Sequence, residues 1–283
     1  MNIYIVIPAH NEGDYISLML NSLTQQTLLP KKVVVVNDNS TDNTQQEINK
    51  FSKNYNWIES LSILSSKAHI PGSKVVQAFY KGYNTLDEDY DIICKFDADI
   101  ILPKNYLETI VKIFKKNPKV GIAGGLAYIK NNKEWVYENI ASKHHVRGPF
   151  KAYRKKCFKD IGGLKSSIGW DTVDILLAKY YGWDIKTDQT LHVKHLKPTG
   201  QSYSKKSALL QGEAFYKMRY GIVITVIASL KKSIKQSNIL ILQNDLKGYF
   251  KAKKEKKEPL VTIEEGRFIR KLRWKGIKHA IFN

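Results

Sequence analysis

The sequence predicts an α/β fold in which a mostly parallel central sheet is flanked by helices. Three observations lead to this prediction. Short apolar strands alternate with amphipathic helices over the first half of the chain, polar residues cluster where these strands end, and the fourth strand ends in two aspartates. The chain of 283 residues is long enough for one large domain, or for one domain with an appendage.

The order of elements follows from hydrophobic periodicity. Strands are predicted over 2–7, 33–36, 61–64, 92–96 and 120–128, each a run with a buried character. Helices are predicted over 14–27 and 103–116, and from Pro71-Gly72-Ser73 through Tyr83. Another is predicted to run toward Phe51, with Ser40 and Thr41 as good N-cap residues. Alternation of this kind is typical of a parallel sheet that carries helices on both faces.

Polar clusters follow three of these strands. They are His10, Asn11 and Glu12 after the first strand, Asp38, Asn39 and Asp42 after the second, and Asp97 and Asp99 after the fourth. Because the carboxyl ends of parallel strands meet at one edge of the sheet, we expect these clusters to converge there. Acidic side chains at that edge could accept hydrogen bonds from ribose hydroxyls or from a base N–H.

The aspartate pair has two interpretations. Aspartate is common in turns, so Asp97 and Asp99 could simply end the strand. Two carboxylates at the end of a sheet strand could instead hold a hard divalent cation, together with phosphate oxygens and water. A dinucleotide-binding fold is disfavoured and a P-loop is excluded, because neither glycine-rich motif is present.

Three motifs in this order resemble those of the family 2 glycosyltransferases with the GT-A fold. They are Ile7-Pro8-Ala9-His10-Asn11-Glu12, Val36-Asn37-Asp38-Asn39-Ser40-Thr41-Asp42 and Asp97-Ala98-Asp99. The resemblance covers roughly residues 1–200. It implies an inverting enzyme that uses a nucleotide-diphosphate sugar, with a UDP-sugar as the expected donor and Mg²⁺ or Mn²⁺ as cofactor.

The resemblance also implies roles for individual residues. Pro8, Ala9 and Glu12 match the first nucleotide loop, where the acidic residue meets the ribose, and Asp38 matches the aspartate that contacts the base. Lys74 falls in the basic stretch near the nucleotide, although Ile70-Pro71 stands where the family has an asparagine. Asp97 matches the aspartate near ribose and metal, and Asp99 the principal metal ligand.

The second half of the chain is expected to serve the acceptor. Gly169-Trp170-Asp171-Thr172-Val173-Asp174 stands where the family commonly has Glu-Asp ahead of a helix ending in Gly-aromatic, here Gly182-Trp183. This spacing aligns Asp171 with the second acidic residue, the expected general base. Trp170 replaces the glutamate, so Asp174 stays an alternative. A carboxylate that complements the helix dipole is the structural alternative for both.

His192 and His195 lie on a predicted strand and are three residues apart, so they face opposite sides of it. The resemblance assigns His195, which lies close to Pro198-Thr199-Gly200, to the metal or diphosphate site. A histidine that serves only the structure is the alternative.

The expected division is a catalytic domain over 1–204 and a basic helical extension over 205–283. Within the first domain, 1–130 is the nucleotide-sugar half and 131–204 the acceptor half. The extension carries 19 lysines and arginines against six acidic residues, an excess of 13 positive charges. Such a charge points to an anionic partner. A membrane surface is expected rather than a specific nucleic acid.

Residues 208–230 are predicted to form one helix ending in the apolar stretch Tyr220–Leu230. That stretch could be a core helix or an interfacial element followed by lysine anchors. Arg270-Lys271-Leu272-Arg273-Trp274 resembles the Gln-x-x-Arg-Trp motif of processive synthases, but arginine stands in place of glutamine. Since no apolar run reaches the length of a membrane span, a non-processive enzyme is favoured.

The remaining expectations concern location and rival functions. Two cysteines and an N-terminus without signal-peptide character indicate a cytoplasmic protein. The charge of the extension adds the hypothesis that the protein is peripheral on the inner face of the cytoplasmic membrane. The expected acceptor is a glycan or a lipid-linked molecule of cell-surface polysaccharide or glycolipid synthesis. The alternatives are a basic membrane- or nucleic-acid-binding protein built on a nucleotide-binding fold, and a sugar nucleotidyltransferase.

Overall fold

The computed structural model describes residues 1–65, 72–140, 142–197 and 208–282, and all structural statements refer to these ranges. The strands are β1 Ile3–Ala9, β2 Lys32–Asp38, β3 Ile58–Ile63, β4 Ile92–Phe96, β5 Ile100–Ile101, β6 Val120–Asn131, β7 Glu134–Tyr137, β8 Phe150–Arg154 and β9 Asp184–His195. The helices are α1 Ile16–Thr24, α2 Thr44–Asn54, α3 Ser73–Tyr83, α4 Tyr106–Lys116, α5 Lys155–Asp160, α6 Trp170–Tyr180, α7 Leu210–Lys217, α8 Ile222–Lys235, α9 Leu240–Lys254 and α10 Ile263–Phe282.

The strands form one sheet in the order β3-β2-β1-β4-β8-β6-β9-β5, with β7 paired to β6. The first four strands in this order, β3, β2, β1 and β4, are parallel to one another, as predicted. Beyond β4 the sheet is mixed, because β8 inserts antiparallel between β4 and β6. The predicted α/β class is confirmed, and the sequence pattern did not indicate the antiparallel insertion.

The central strands are apolar because both of their faces are covered. Every residue of β1 and of β4 is buried, which is the pattern expected of strands inside a parallel sheet. In the register of the sheet, Ile5 lies between Val33 of β2 and Cys94 of β4. Helices α1 and α4 contribute their apolar faces to the same core. This packing holds the carboxyl ends of β1, β2 and β4 side by side.

Several predicted helix boundaries differ from the structure. The first helix spans Ile16–Thr24 rather than 14–27. The helix after β2 begins at Thr44, and Ser40 and Thr41 are not its caps. Both residues instead bond to Asn11, whose main-chain N–H donates to Ser40 Oγ at 2.9 Å and whose Oδ1 accepts from the Thr41 N–H at 2.8 Å. The helix after Pro103 begins at Tyr106, one turn later than predicted.

The single helix predicted over 208–230 is also wrong. Helix α7 ends at Lys217 and α8 begins at Ile222. Between them Arg219 and Gly221 adopt positive φ angles of 56° and 77°, which stop an α-helix. The intervening Tyr220 is buried and stacks on Phe215 at a ring distance of 5.2 Å.

The chain divides into two compact units. The first comprises Met1–His69, Lys74–Leu164 and Tyr181–Gln201 and contains the sheet. The second comprises Ile70–Ser73, Lys165–Tyr180 and Ser202–Asn283, so α6 belongs with the C-terminal helices. Within it, Tyr180 of α6 packs edge-on against Phe268 of α10 at 5.5 Å. The predicted boundaries at 130 and 204 stay predictions, and residue 204 lies outside the described residues.

Candidate active site

The loops after β1 and β2 are locked together at the carboxyl edge of the sheet. The His10 ring Nδ1 lies 2.6 Å from the carbonyl oxygen of Asp38, and the Gly13 N–H donates to Asp42 Oδ2 at 3.0 Å. The Glu12 N–H donates to Thr44 Oγ1 at 2.8 Å. The predicted convergence of these two polar clusters is therefore confirmed, and Glu12 is held by its main chain at the centre of the edge.

Asp38 ends β2 and is buried. Its carboxylate accepts hydrogen bonds from Ser65, at 2.9 Å from the hydroxyl and 3.2 Å from the main-chain N–H. Pro8 and Ala9 lie beside it at the end of β1, paired with Val36 and Asn37. These contacts hold the Asp38 carboxylate and the end of β1 side by side at the edge of the sheet.

Asp97, Asp99 and His195 converge at the same edge of the sheet. One potential ligand atom from each lies within 4.8 Å of those of the other two. His195 Nε2 is 3.7 Å from Asp99 Oδ2, and the main-chain N–H of Leu196 donates to the Asp99 carbonyl at 2.8 Å. The antiparallel pairing of β5 with β9 brings His195 to this place, opposite Ile100. His192 faces the other side of β9 and is exposed, as the strand spacing predicted.

A buried ionic network supports His195 from behind. The His195 Nδ1 donates to Glu138 Oε2 across 3.3 Å, and Arg147 forms an ion pair with the same carboxylate oxygen. The exposed fractions of Glu138, Arg147 and His195 are 4%, 8% and 6%. A carboxylate that accepts from one ring nitrogen fixes the tautomer of the histidine and leaves the other nitrogen as an electron-pair donor.

Glu12 forms an ion pair with Lys197, whose Nζ is 2.6 Å from both carboxylate oxygens. Burial raises the pKa of Glu12 to about 7, although the Lys197 ammonium opposes the shift. Burial and the neighbouring Asp97 also raise the pKa of Asp99, and His195 and Lys197 partly offset the increase. Asp97 itself pairs with Lys95, a lysine buried within β4. This edge therefore concentrates both acidic and basic groups.

The two candidate general bases lie in the second unit, on the first turns of α6. Asp171 is half-buried, whereas Asp174 is 1% exposed. An Asp174 oxygen accepts from the Ile175 N–H at 2.6 Å. Lys74, the second residue of α3, is half-buried in the first unit. Ile70 and Pro71, as well as Pro198-Thr199-Gly200, lie outside the described residues.

Four residues of this edge were not predicted, namely Lys95, Glu138, Arg147 and Lys197. Lys95 carried a signal, because a lysine inside an apolar strand is rarely buried without a partner. Glu138 and Arg147 had none, since only the folded chain brings them to His195. Lys197 lies two residues after His195, in a segment without a recognisable pattern.

The family model "Glycosyl transferase family 2" matches residues 4–167, more than half of the chain. This chain belongs to glycosyltransferase family 2. The chain is 24% identical over 189 residues to the poly-beta-1,6-N-acetyl-D-glucosamine synthase of Staphylococcus epidermidis, covering 60% of this chain and 42% of that protein. It is 28% identical over 204 residues to the probable glycosyltransferase YdaM of Bacillus subtilis, covering 68% and 46%. The chain thus spans less than half the length of these relatives.

Solved structures of glycosyltransferases share the fold. Residues 1–349 of Staphylococcus aureus TarS, in complex with UDP-GlcNAc, align with a TM-score of 0.59 at 18% identity, covering 89% of this chain and 73% of that one. The mannosyltransferase PcManGT of Pyrobaculum calidifontis, in complex with GDP-Man and Mn²⁺, aligns with a TM-score of 0.58 at 14% identity, covering 99% and 80%. The predicted GT-A fold and glycosyltransferase class are confirmed.

Proposed function

We propose that this family 2 glycosyltransferase transfers a sugar, with inversion, from a nucleotide-diphosphate sugar to an acceptor hydroxyl. The observation that carries the proposal is the cluster of Asp97, Asp99 and His195, at the edge where the β1 and β2 loops meet. Family membership favours glycosyl transfer over the nucleotidyltransferase and binding-protein alternatives. A UDP-sugar is the proposed donor, because structures of TarS hold UDP or UDP-GlcNAc.

The nucleotide would lie along the edge of the sheet. Asp38 offers its carboxylate to a base N–H, and Glu12 accepts from a ribose hydroxyl once it is ionised. Pro8 and Ala9 line the strand end, and Lys74 contributes positive charge toward the diphosphate. The ion pair of Glu12 with Lys197 keeps the positively charged Lys197 ammonium group beside the same edge.

The cluster fits Mg²⁺ or Mn²⁺, because its two carboxylates supply the oxygen ligands that both ions prefer, and the imidazole is better suited to the transition ion Mn²⁺ than to Mg²⁺. Asp99 would be the principal ligand, with Asp97 and His195 beside it. The bound cation would act as a Lewis acid that stabilises negative charge on the departing diphosphate. Neighbours that contain Mn²⁺ agree with this assignment.

Asp171 is the proposed general base, which removes the proton from the acceptor hydroxyl as that oxygen attacks the anomeric carbon. Its partial exposure supports this role, whereas the burial of Asp174 leaves little access for an acceptor. The proposed acceptor is a glycan or a lipid-linked molecule, and the enzyme adds sugars without processive synthesis.

The C-terminal extension is proposed to hold the enzyme at an anionic membrane surface on the cytoplasmic side. Its excess of 13 positive charges supports this location, since each lysine or arginine near an anionic leaflet contributes about 1 kcal/mol. Among the described residues, no helix combines the length and hydropathy required to cross a bilayer.

The test is a panel of nucleotide sugars incubated with the full chain and Mn²⁺, with hydrolysis and transfer followed by release of the nucleotide diphosphate. We expect one donor to be consumed, EDTA to stop the reaction, and Asp99→Asn to lose activity. The matched control is Asp184→Asn, an exposed aspartate at the opposite end of the strand that carries His195. Activity of Asp99→Asn equal to that of the control would contradict the proposal.

A further inference from the structure

Helix α8 buries three hydroxyl side chains together with Ile224, and it exposes several of its large apolar side chains. Thr225, Ser229 and Ser233 are spaced four residues apart and are buried, with exposed fractions of 0%, 0% and 4%. The opposite stripe has Val223, Leu230 and Ile234, which are 54%, 42% and 69% exposed. A surface helix of a protein in water normally has the reverse pattern.

The buried hydroxyls have partners inside the second unit. Ser229 Oγ donates to Asp245 Oδ2 of α9 at 2.8 Å, and Asp245 is only 2% exposed. Thr225 and Ser233 donate to the carbonyl oxygens of Gly221 and Asn238, at 2.8 and 2.7 Å. Of these three bonds, the one from Ser229 joins α8 to α9, whereas those from Thr225 and Ser233 satisfy the hydroxyls locally. The apolar stripe is therefore exposed on the side of α8 away from a satisfied polar interior.

Helix α9 packs closely on α7 through glycines. A Cβ on Gly212 would lie 1.8 Å from the Asp245 carbonyl oxygen, and one on Gly248 would lie 2.0 Å from that of Leu209. Small residues and hydroxyls at helix contacts, with large apolar residues outside, are typical of helices that pack in a lipid environment.

The turn between α8 and α9 extends the apolar stripe. Ile239 and Leu240 are 59% and 57% exposed and follow Ile234 at the tip of the helical hairpin. Lysines border the stripe at the end of α8, where Lys231, Lys232 and Lys235 are exposed. Together, Val223, Leu230, Ile234, Ile239 and Leu240 with these three lysines form what we term the hairpin surface.

We infer that the hairpin surface inserts its apolar stripe into the interface of an anionic bilayer, with the lysines at the level of the lipid phosphates. An apolar stripe with lysines beside it is complementary to acyl chains beneath anionic headgroups. A second copy of the chain is a poorer occupant, because a symmetric contact would bring the same three lysines together from both copies. This inference rests on the membrane association proposed above and assigns it to a surface.

The first test is flotation of the full-length protein with vesicles of phosphatidylcholine containing phosphatidylglycerol, and with pure phosphatidylcholine. We expect wild type to float with the anionic vesicles, and Ile234→Ser/Leu240→Ser to lose at least about tenfold in partitioning. The matched control is Leu29→Ser/Leu64→Ser, which removes two apolar side chains, 50% and 89% exposed, from the first unit. Its partitioning should equal that of wild type.

The second test measures insertion directly. Both native cysteines are buried, so an environment-sensitive fluorophore on Ile234→Cys reports that position alone. We expect a blue shift and quenching by brominated acyl chains at position 234, and neither at Leu64→Cys.

Two outcomes would overturn the inference. One is wild-type flotation of Ile234→Ser/Leu240→Ser while reversal of Lys253, Lys254, Lys256 and Lys257 to glutamate abolishes binding. That result would leave the electrostatic membrane association intact and remove the hairpin from it. The other is that light scattering shows wild type to be a dimer and Ile234→Ser/Leu240→Ser to be a monomer, while wild type does not bind vesicles. Neither readout depends on sugar transfer, so failure of the enzymatic proposal would be seen separately.

Discussion

The Nδ1 atom of His195 lies 3.3 Å from the Oε2 atom of Glu138, and both side chains are buried. Arg147 pairs with the same oxygen, so Glu138 is held as a carboxylate that can only accept hydrogen bonds. The Nδ1 atom of His195 therefore donates to Glu138, and its Nε2 atom faces Asp99 Oδ2, 3.7 Å away. We therefore predict that Glu138 is a positioning residue for the proposed metal site.

Substitution of Glu138→Gln should weaken Mn²⁺ binding by about 10- to 100-fold, since the amide is a weaker acceptor and leaves the ring less firmly oriented. Titration of the full chain with Mn²⁺, followed by electron paramagnetic resonance of the free ion, measures this effect. Glu134→Gln, an exposed change four residues earlier, is the control. An unchanged Mn²⁺ affinity in a folded Glu138→Gln protein would refute the assigned role.

Nucleotide binding should depend on pH through Glu12, whose pKa is raised to about 7 by burial. Below that pH the carboxyl group is protonated and accepts a ribose hydroxyl poorly, whereas above it the carboxylate accepts well. We expect UDP affinity, measured by calorimetry with Mn²⁺ present, to increase as pH rises from 6 to 8. The increase should be smaller in Glu12→Gln, and equal pH profiles of the two proteins would contradict the prediction.

Asp171→Asn should lower transfer by roughly 10²- to 10⁴-fold and leave donor binding intact, because the amide cannot take the acceptor proton. Asp174→Asn should instead lower the melting temperature, since Asp174 is buried and bonded to the main chain. Single-turnover transfer and donor titration separate these effects. Lost transfer in a stably folded Asp174→Asn protein, with an active Asp171→Asn protein, would reverse the two roles.

Asp245→Asn should stabilise the second unit at neutral pH. Burial raises the pKa of Asp245, although its bond from Ser229 and the charge of Lys232 oppose the shift. A raised pKa means that ionisation costs free energy in the folded chain. The neutral amide removes this cost above that pKa and has no advantage below the ordinary value of 3.8.

We therefore expect a melting temperature higher by about 2 °C or more at pH 7, with the gain declining as the pH is lowered toward 3. Differential scanning calorimetry at both pH values measures the change. The control is Asn244→Asp, which adds a carboxylate at the adjacent, half-buried position. It shows whether the effect depends on where the charge lies. A gain that persists undiminished at low pH would show that ionisation of Asp245 is not its cause.

The α/β class, the order of β1 to β4 along the chain and the acidic clusters at the strand ends were evident from local pattern, whereas β5, β7 and β8 were not predicted. Strands such as β1 and β4 are apolar throughout because parallel strands are covered on both faces, and this requirement is visible in any single strand. The positions of Glu12, Asp38, Asp97 and Asp99 follow from the strands that precede them. The sequence alone can therefore locate residues whose position depends only on adjacent segments of the chain.

The network behind His195 and the orientation of α8 required the folded chain. Glu138 and His195 are 57 residues apart. They meet because β6 pairs both with β7, which ends just before Glu138, and with β9, which ends at His195. The apolar residues of α8 have the spacing of an ordinary amphipathic helix, whose inner side cannot be known from periodicity. The hydrogen bond from Ser229 to the buried Asp245 determines that side. A buried carboxylate without a donor would cost more free energy than the exposure of the apolar stripe does.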